Sequence, residues 1–306
     1  MNIGSSISKA WQLTLRHKVL WFFGLFATGF NTEIWEIGSG IINFIPQAAS
    51  RAQLPLELPT GLQQAWIEPV YAQSILPTGD LVQKTPVVIT VTVIIALVVV
   101  YLRLVSQIAL FDAVAKANTR KKIVFKKQVS LANQLVIKYL GLTLYLALWA
   151  LLPTAVIFLV IGILVIFGLP QWLLVILSIL TLATWVLYVL GLGVVTRFAT
   201  RAVVLNNVSI ISSLSYAFAL IHKNPADTFL LWVSATGLSL AYYFVLSMVG
   251  MIGLISILAA ALILAPLSVL IALLFGLILA LIYSWGSTFI SSLWTLAYFE
   301  LNKTTK

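Results

Sequence analysis

The stretch DAVAKANTRKKIVFKKQVSLANQLVIK, residues 112–138, decides how this chain folds, because it separates two long apolar runs. It carries seven of the eighteen Lys and Arg residues and a single acid, Asp112. A cationic loop between membrane spans stays on the cytoplasmic side, since moving its charges across the bilayer is unfavourable. Residues 112–138 are therefore predicted to form a basic cytoplasmic loop, and the other segments are oriented from it.

The composition predicts a membrane protein. Apolar residues make up 61% of the chain and charged residues 8%, against roughly 25% charged residues in soluble domains. The absence of cysteine excludes a disulfide framework and a thiolate metal site. The net charge of +10 lies in short loops beside apolar runs, so the expected partner is a bilayer with anionic headgroups at its cytoplasmic face and not nucleic acid.

Apolar runs of spanning character recur along the chain and predict an all-α polytopic bundle of about six transmembrane helices. They cover residues 19–30, 86–111, 139–167, 172–196, 228–250 and 267–285. A helix of residues 19–30 would rise only about 18 Å, less than the roughly 30 Å hydrocarbon core, so it must borrow flanking residues, thin the bilayer or re-enter. Residues 254–264 are too short to span and are interpreted as an outer re-entrant piece or a helical extension. The whole chain, residues 1–306, is predicted to be one membrane domain.

The distribution of charge predicts the orientation. Residues 31–85 hold five of the eight acids and only two bases, Arg51 and Lys84, and are predicted to form the extracytoplasmic loop. The segments on the other side hold fifteen bases against three acids. The positive-inside rule then places both termini in the cytoplasm of a multipass protein of the cell membrane.

Two segments have the pattern of interfacial amphipathic helices. The first has an apolar face made of Ile3, Ile7, Ala10, Trp11 and Thr14. The second ends near Lys223 and has an apolar stripe made of Ile211, Leu214, Phe218 and Ile221. Beyond Trp285 the last span is predicted to continue as a helix that docks on the inner face of the bundle. This helix has an apolar side made of Phe289, Leu293 and Leu296 and, opposite to it, a polar stripe made of Ser287, Thr288, Ser291, Ser292 and Thr295.

An internal repeat is visible in the sequence. Residues 8–29, SKAWQLTLRHKVLWFFGLFATG, parallel residues 215–237, SYAFALIHKNPADTFLLWVSATG, with one residue inserted, and residues 130–144 are a fainter third copy. The repeat predicts three hairpins, each introduced by an amphipathic element.

These stretches, with TRFATRAVVLNNVSIISSLSYAFALIHKNP at residues 196–225 and WTLAYFELN at residues 294–302, resemble the glycerophosphoryl diester phosphodiesterase membrane-domain family and related multipass families. The resemblance covers most of the chain except residues 31–85 and about 250–266. It implies a multipass bundle without the catalytic domain that gives the family its name.

The sequence predicts neither an enzyme nor a cofactor. A metal-dependent phosphodiester hydrolase needs converging carboxylates and histidines, and the chain has two histidines, His17 and His222. They occupy matching places in the repeat, each followed by a lysine, which favours anchoring at the membrane interface over a metal site. No catalytic, cofactor-binding or metal-binding residue is predicted.

The favoured function is a non-catalytic bundle that binds partner proteins or lipids at the inner leaflet. Anionic lipids are expected to contact Arg120, Lys121, Lys122, Lys126 and Lys127. The alternative is a transporter or channel for a small solute or lipid, whose path is lined by the hydroxyls of Thr90, Thr92, Thr143, Thr154, Ser234, Thr236 and Ser239. No acid lies inside a predicted span, so carboxylate-coupled transport has no support. A membrane-embedded enzyme ranks third.

One structural ion pair is also predicted. Asp112 lies at the inner end of one span, and Arg197 and Arg201 lie at the inner end of another. An unpaired charge at that depth loses hydration, so Asp112 is expected to pair with Arg197 or Arg201. The alternative is that Asp112 faces water while the arginines meet lipid phosphates.

Overall fold

A computed structural model describes residues 2–27, 78–166, 171–263 and 265–303, and these residues form helices without strands. The helices, in chain order, are α1 (Ile3–Arg16), α2 (Val19–Ala27), α3 (Thr78–Asn118), α4 (Phe125–Ile166), α5 (Gln171–Asn206), α6 (Ile210–Lys223), α7 (Pro225–Ile263) and α8 (Ala265–Lys303). The all-α fold class is confirmed.

Five of these helices are long and apolar enough to cross a membrane, namely α3, α4, α5, α7 and α8. The described part of the first predicted span ends at Ala27, and its residues 28–30 lie outside the described residues. The segment 254–264 belongs to α7 as far as Ile263, which agrees with the helical-extension alternative. At 1.5 Å per residue α7 is about 58 Å long, roughly twice the hydrocarbon thickness.

Local sequence signals explain where the helices begin and end. Ser209 caps α6, and its side chain accepts a hydrogen bond from the Ser212 N–H. The helix ends at Lys223, as predicted, because Asn224 precedes Pro225 and that position disfavours helical geometry. Pro225 is the first residue of α7, where a missing N–H is tolerated.

The chain divides into two compact units, residues 1–27 with 103–306 and residues 28–102. Of the second unit the structure describes only residues 78–102, which are helical. Most of the predicted outer loop, residues 31–77, therefore lies outside the described residues, and the single membrane domain stays a prediction.

The core of the first unit lies at one end of its helices, here called the basic end, which comprises the helix termini at Asn118, Phe125, Asn206 and Lys303. Its buried side chains come mainly from the last turns of α3, α5 and α8, within residues 104–117, 195–204 and 289–301. Away from this end, apolar side chains are exposed, for example Leu187 (71%) and Leu273 (68%). Such a surface is suited to contact with lipid and not with water.

The three sequence repeats share one packing pattern. A polar residue lies two positions before the start of each repeat, and an alanine follows it four positions later, all fully buried: Ser6 and Ala10, Gln128 and Ala132, and Ser213 and Ala217. In α1 and α6 the aromatic residue after the alanine, Trp11 or Phe218, is 45% or 46% exposed. Only part of each predicted apolar face therefore packs inside the protein. The small residues permit close helix packing and are buried, while the large aromatic residues stay at the surface.

Candidate anion-binding cleft

A cleft of about 930 Å³ lies at the basic end of the first unit, between the α1–α2 junction and the turn that follows α3. Its walls are formed by Lys9, Gln12, Leu13, Arg16, His17 and Val19 on one side and by Ala117, Asn118, Arg120, Lys121, Lys122 and Ile123 on the other.

The first wall is formed where α1 stops and α2 starts. The His17 N–H donates to the Leu13 carbonyl at 3.1 Å, and the His17 carbonyl then accepts from the Leu20 N–H at 2.9 Å. The helical path is therefore interrupted for only two residues, His17 and Lys18. This short break keeps Arg16 and His17 at the cleft, directly before the apolar residues of α2.

The second wall is formed by a Schellman motif at the end of α3. The Arg120 N–H donates to the Ala117 carbonyl at 3.1 Å, and the Lys121 N–H donates to the Lys116 carbonyl at 2.9 Å. The motif needs a left-handed residue, and Arg120 has φ 55°. Glycine is the usual residue at this position, because a side chain there costs about 1 kcal/mol.

The cleft is strongly cationic. Its walls contain five Lys and Arg residues, Lys9, Arg16, Arg120, Lys121 and Lys122, and no acid. Glu300 of α8 lies 3.7 Å from Lys9 and also accepts a hydrogen bond from Ser6 at 2.8 Å. In the part of the chain that the structure describes, no other carboxylate lies within ion-pair distance of these five bases.

Helix dipoles reduce this charge only in part. The C-termini of α1 and α3 both end at the cleft, and each is equivalent to about half a negative charge. The two helix ends together with Glu300 offset about two of the positive charges, so a net charge of about +3 remains. A cleft with this charge attracts anions and raises their local concentration.

The structure places the predicted lipid-contact residues in three environments. Arg120, Lys121 and Lys122 line the cleft. Lys126 lines a second, smaller cleft of about 560 Å³. Lys127 is exposed and lines neither.

Lys9, Arg16 and His17 are cleft residues that the sequence reasoning did not assign to the same site. A signal for them exists in the sequence, since residues 16–18 and 120–122 are both basic triplets beside apolar runs. Such triplets are expected at the same depth of the membrane interface.

Asp112 has a different partner from the one predicted. Its carboxylate lies 2.6 Å from the Lys116 Nζ, one turn along the same helix. The Gln128 amide lies against both groups, donating to Asp112 and accepting from Lys116 at 3.2 Å. A base at i+4 reaches the acid within its own helix, so the pair needs no second helix.

The two arginines that were proposed for Asp112 are held by neutral groups. Arg201 is 3% exposed. Its guanidinium donates to Thr295 Oγ1 at 3.1 Å, to the Arg197 carbonyl at 2.6 Å and to the Ser291 carbonyl at 3.1 Å. It also lies over the Phe111 ring at 4.5 Å, while Arg197 lies over the Trp294 ring at 4.7 Å. Carbonyls, a hydroxyl and ring faces thus replace the predicted carboxylate.

The polar stripe of α8 is buried and fixes α2. Three hydroxyls of α8 donate to backbone carbonyls of α2: Ser284 to Trp21, Ser287 to Gly24 at 2.7 Å and Thr288 to Leu20 at 3.1 Å. Close approach is possible because Gly24 has no side chain. α2 thereby positions Val19 at the cleft.

This fold defines a polytopic α-helical membrane protein. No protein family, curated protein or solved structure matches the chain, and the resemblance to the phosphodiesterase membrane-domain family stays a prediction. Among the described residues no group of three His, Asp or Glu side chains could hold a metal ion.

Proposed function

We propose that this protein is a non-catalytic membrane bundle that binds anionic lipid headgroups at the inner leaflet of the cell membrane. The observation that supports the proposal is the cleft with five Lys and Arg residues and no acid in its walls. A surface of this charge next to a bilayer attracts anionic headgroups by about 1 kcal/mol per base.

The charge pattern also supports the orientation. The cleft belongs to the segments that the positive-inside rule assigns to the cytoplasm. Both termini lie on the same side in this proposal, and the cleft faces the leaflet in which anionic lipids create a negative surface potential.

Transport is the less favoured function because three of the hydroxyls proposed to line a path donate hydrogen bonds within their own helices. Thr143 donates to the Tyr139 carbonyl at 2.9 Å, Thr154 to Ala150 at 2.7 Å and Ser239 to Ala235 at 2.7 Å. Hydroxyls of this kind satisfy local carbonyls and do not need a solute.

Lipid retention tests the proposal. The full chain, purified in a neutral detergent, should keep anionic lipid bound, which is counted per protein by mass spectrometry. The triple variant Arg16→Gln, Arg120→Gln and Lys121→Gln should lose most of the bound lipid. Its affinity should fall about a hundredfold if each base contributes about 1 kcal/mol.

A matched variant controls for net charge. Lys127→Gln, Lys223→Gln and Lys303→Gln remove the same number of charges outside the cleft, and this protein should retain lipid as the unaltered chain does. Equal loss in both variants would show that the attraction is general and is not located in the cleft.

A further inference from the structure

We infer that the cleft is a defined site for a phosphoryl anion with more than one negative charge, as in a phosphomonoester or diphosphate headgroup. The inference rests on the proposed function and goes further, because it names the class of anion and the residue that selects it. General attraction by a basic surface would require neither a particular class of anion nor a particular residue that selects it.

The charge of the cleft matches such an anion. After Glu300 and the two helix ends are included, about three positive charges remain. A phosphodiester headgroup carries one negative charge and leaves most of them unneutralised. A phosphomonoester carries about 1.5 to 2 negative charges near neutral pH and has more oxygens that can accept hydrogen bonds.

The backbone at Arg120 points to the same conclusion. Arg120 occupies the left-handed position of a Schellman motif, with φ 55°, where glycine would be less strained. Strained backbone of this kind concentrates at binding sites, where the side chain has a role that offsets its conformational cost. The side chain so placed is a guanidinium that lines the cleft.

Two arginines reach the cleft from different elements. Arg16 ends α1, and Arg120 follows α3. A guanidinium can bind two oxygens of a phosphoryl group at once, which a lysine cannot do. Lys9 has Glu300 as a partner, so the two arginines, Lys121 and Lys122 are the groups left to bind the phosphoryl oxygens.

The size of the cleft admits a headgroup. Its volume of about 930 Å³ lies within the 300–1,000 Å³ typical of small-molecule sites. Leu13, Val19 and Ile123 add apolar surface to its walls, which suits the glycerol and first acyl carbons of a lipid.

The test compares three anions on the full chain in nanodiscs of neutral phosphatidylcholine. Binding of a short-chain phosphatidic acid, a short-chain phosphatidylglycerol and inorganic pyrophosphate is measured by titration. Phosphatidic acid should bind about fivefold more tightly than phosphatidylglycerol, because it carries about one additional charge.

Arg120→Gly separates a binding role from a structural one. This variant should weaken the binding of phosphatidic acid about fivefold, while the unfolding temperature of the protein stays equal or rises, since glycine relieves the strain. The affinity of Arg120→Lys for phosphatidic acid should lie between those of Arg120→Gly and the unaltered chain. Lys127→Gln should bind phosphatidic acid as the unaltered chain does. An Arg120→Gly variant with unchanged binding would overturn the inference.

The outcomes distinguish this inference from the proposed function. If both anionic lipids bind equally, and more tightly than neutral lipid, the inference fails and the function stands. If neither binds more tightly than neutral lipid while pyrophosphate binds, the site takes a soluble phosphoryl anion and the lipid function fails. If none of the three anions binds, both fail.

Discussion

Alanine in place of Gly24 should lower the free energy of unfolding by about 3 kcal/mol, through overpacking and the loss of hydrogen bonds between helices. A Cβ atom on Gly24 would lie 2.0 Å from Thr288 Oγ1 and 2.6 Å from the Ser284 carbonyl oxygen. Because one of these atoms belongs to the backbone, α2 must move away from α8. The hydroxyl bonds from Ser284, Ser287 and Thr288 would then be lost together.

Gly191→Ala is the matched control for this prediction. Nothing lies within 4 Å of a Cβ atom built on Gly191, so alanine there should stabilise the helix by up to about 1 kcal/mol. Unfolding in mixed micelles, followed by circular dichroism, measures both variants. Equal stabilities would show that α2 and α8 are not in close contact.

Lysine in place of Arg201 should destabilise the protein by about 3 kcal/mol, more than methionine in the same place. The guanidinium offsets the cost of its burial by donating to Thr295, Arg197 and Ser291. A lysine in this place is also buried, and its single nitrogen cannot donate to all three acceptors in the planar arrangement of a guanidinium.

Methionine removes both the hydrogen bonds and the desolvation cost, and it fills a similar volume, so its effect should be within about 1.5 kcal/mol. The same micelle unfolding experiment ranks the two variants. If lysine is tolerated better than methionine, positive charge at this position matters more than the geometry of the guanidinium.

Most of the helical architecture was predictable from the sequence, because its signals are local. The end of α6 at Lys223 follows from Asn224 and Pro225, and the continuation of α8 beyond Trp285 follows from an uninterrupted helical pattern. Hydropathy identified all five helices that are long and apolar enough to span a membrane.

The contacts of charged residues were less predictable, because they depend on neutral groups brought together by the fold. Asp112 was assigned a partner across a helix gap, although Lys116 is one turn away. Arg201 donates hydrogen bonds to two carbonyls and a hydroxyl, and the positions of charged residues in the sequence do not indicate these neutral partners.

The cleft shows the same limit. The sequence predicts lipid contacts for the bases of residues 120–122, but the cleft that they form with Lys9 and Arg16 depends on how α1 packs against α8. That packing uses Ser6 and Glu300, which are far apart in the sequence and carry no shared local pattern.

The side of the membrane that the cleft faces is the central claim, and thiol labelling tests it most directly. The chain has no native cysteine, so the variants Lys122→Cys and Thr60→Cys each report one site in intact cells. An impermeant reagent should label position 60 at once and position 122 only after the membrane is permeabilised. Labelling of position 122 from outside would place the cleft on the outer surface and contradict binding at the inner leaflet.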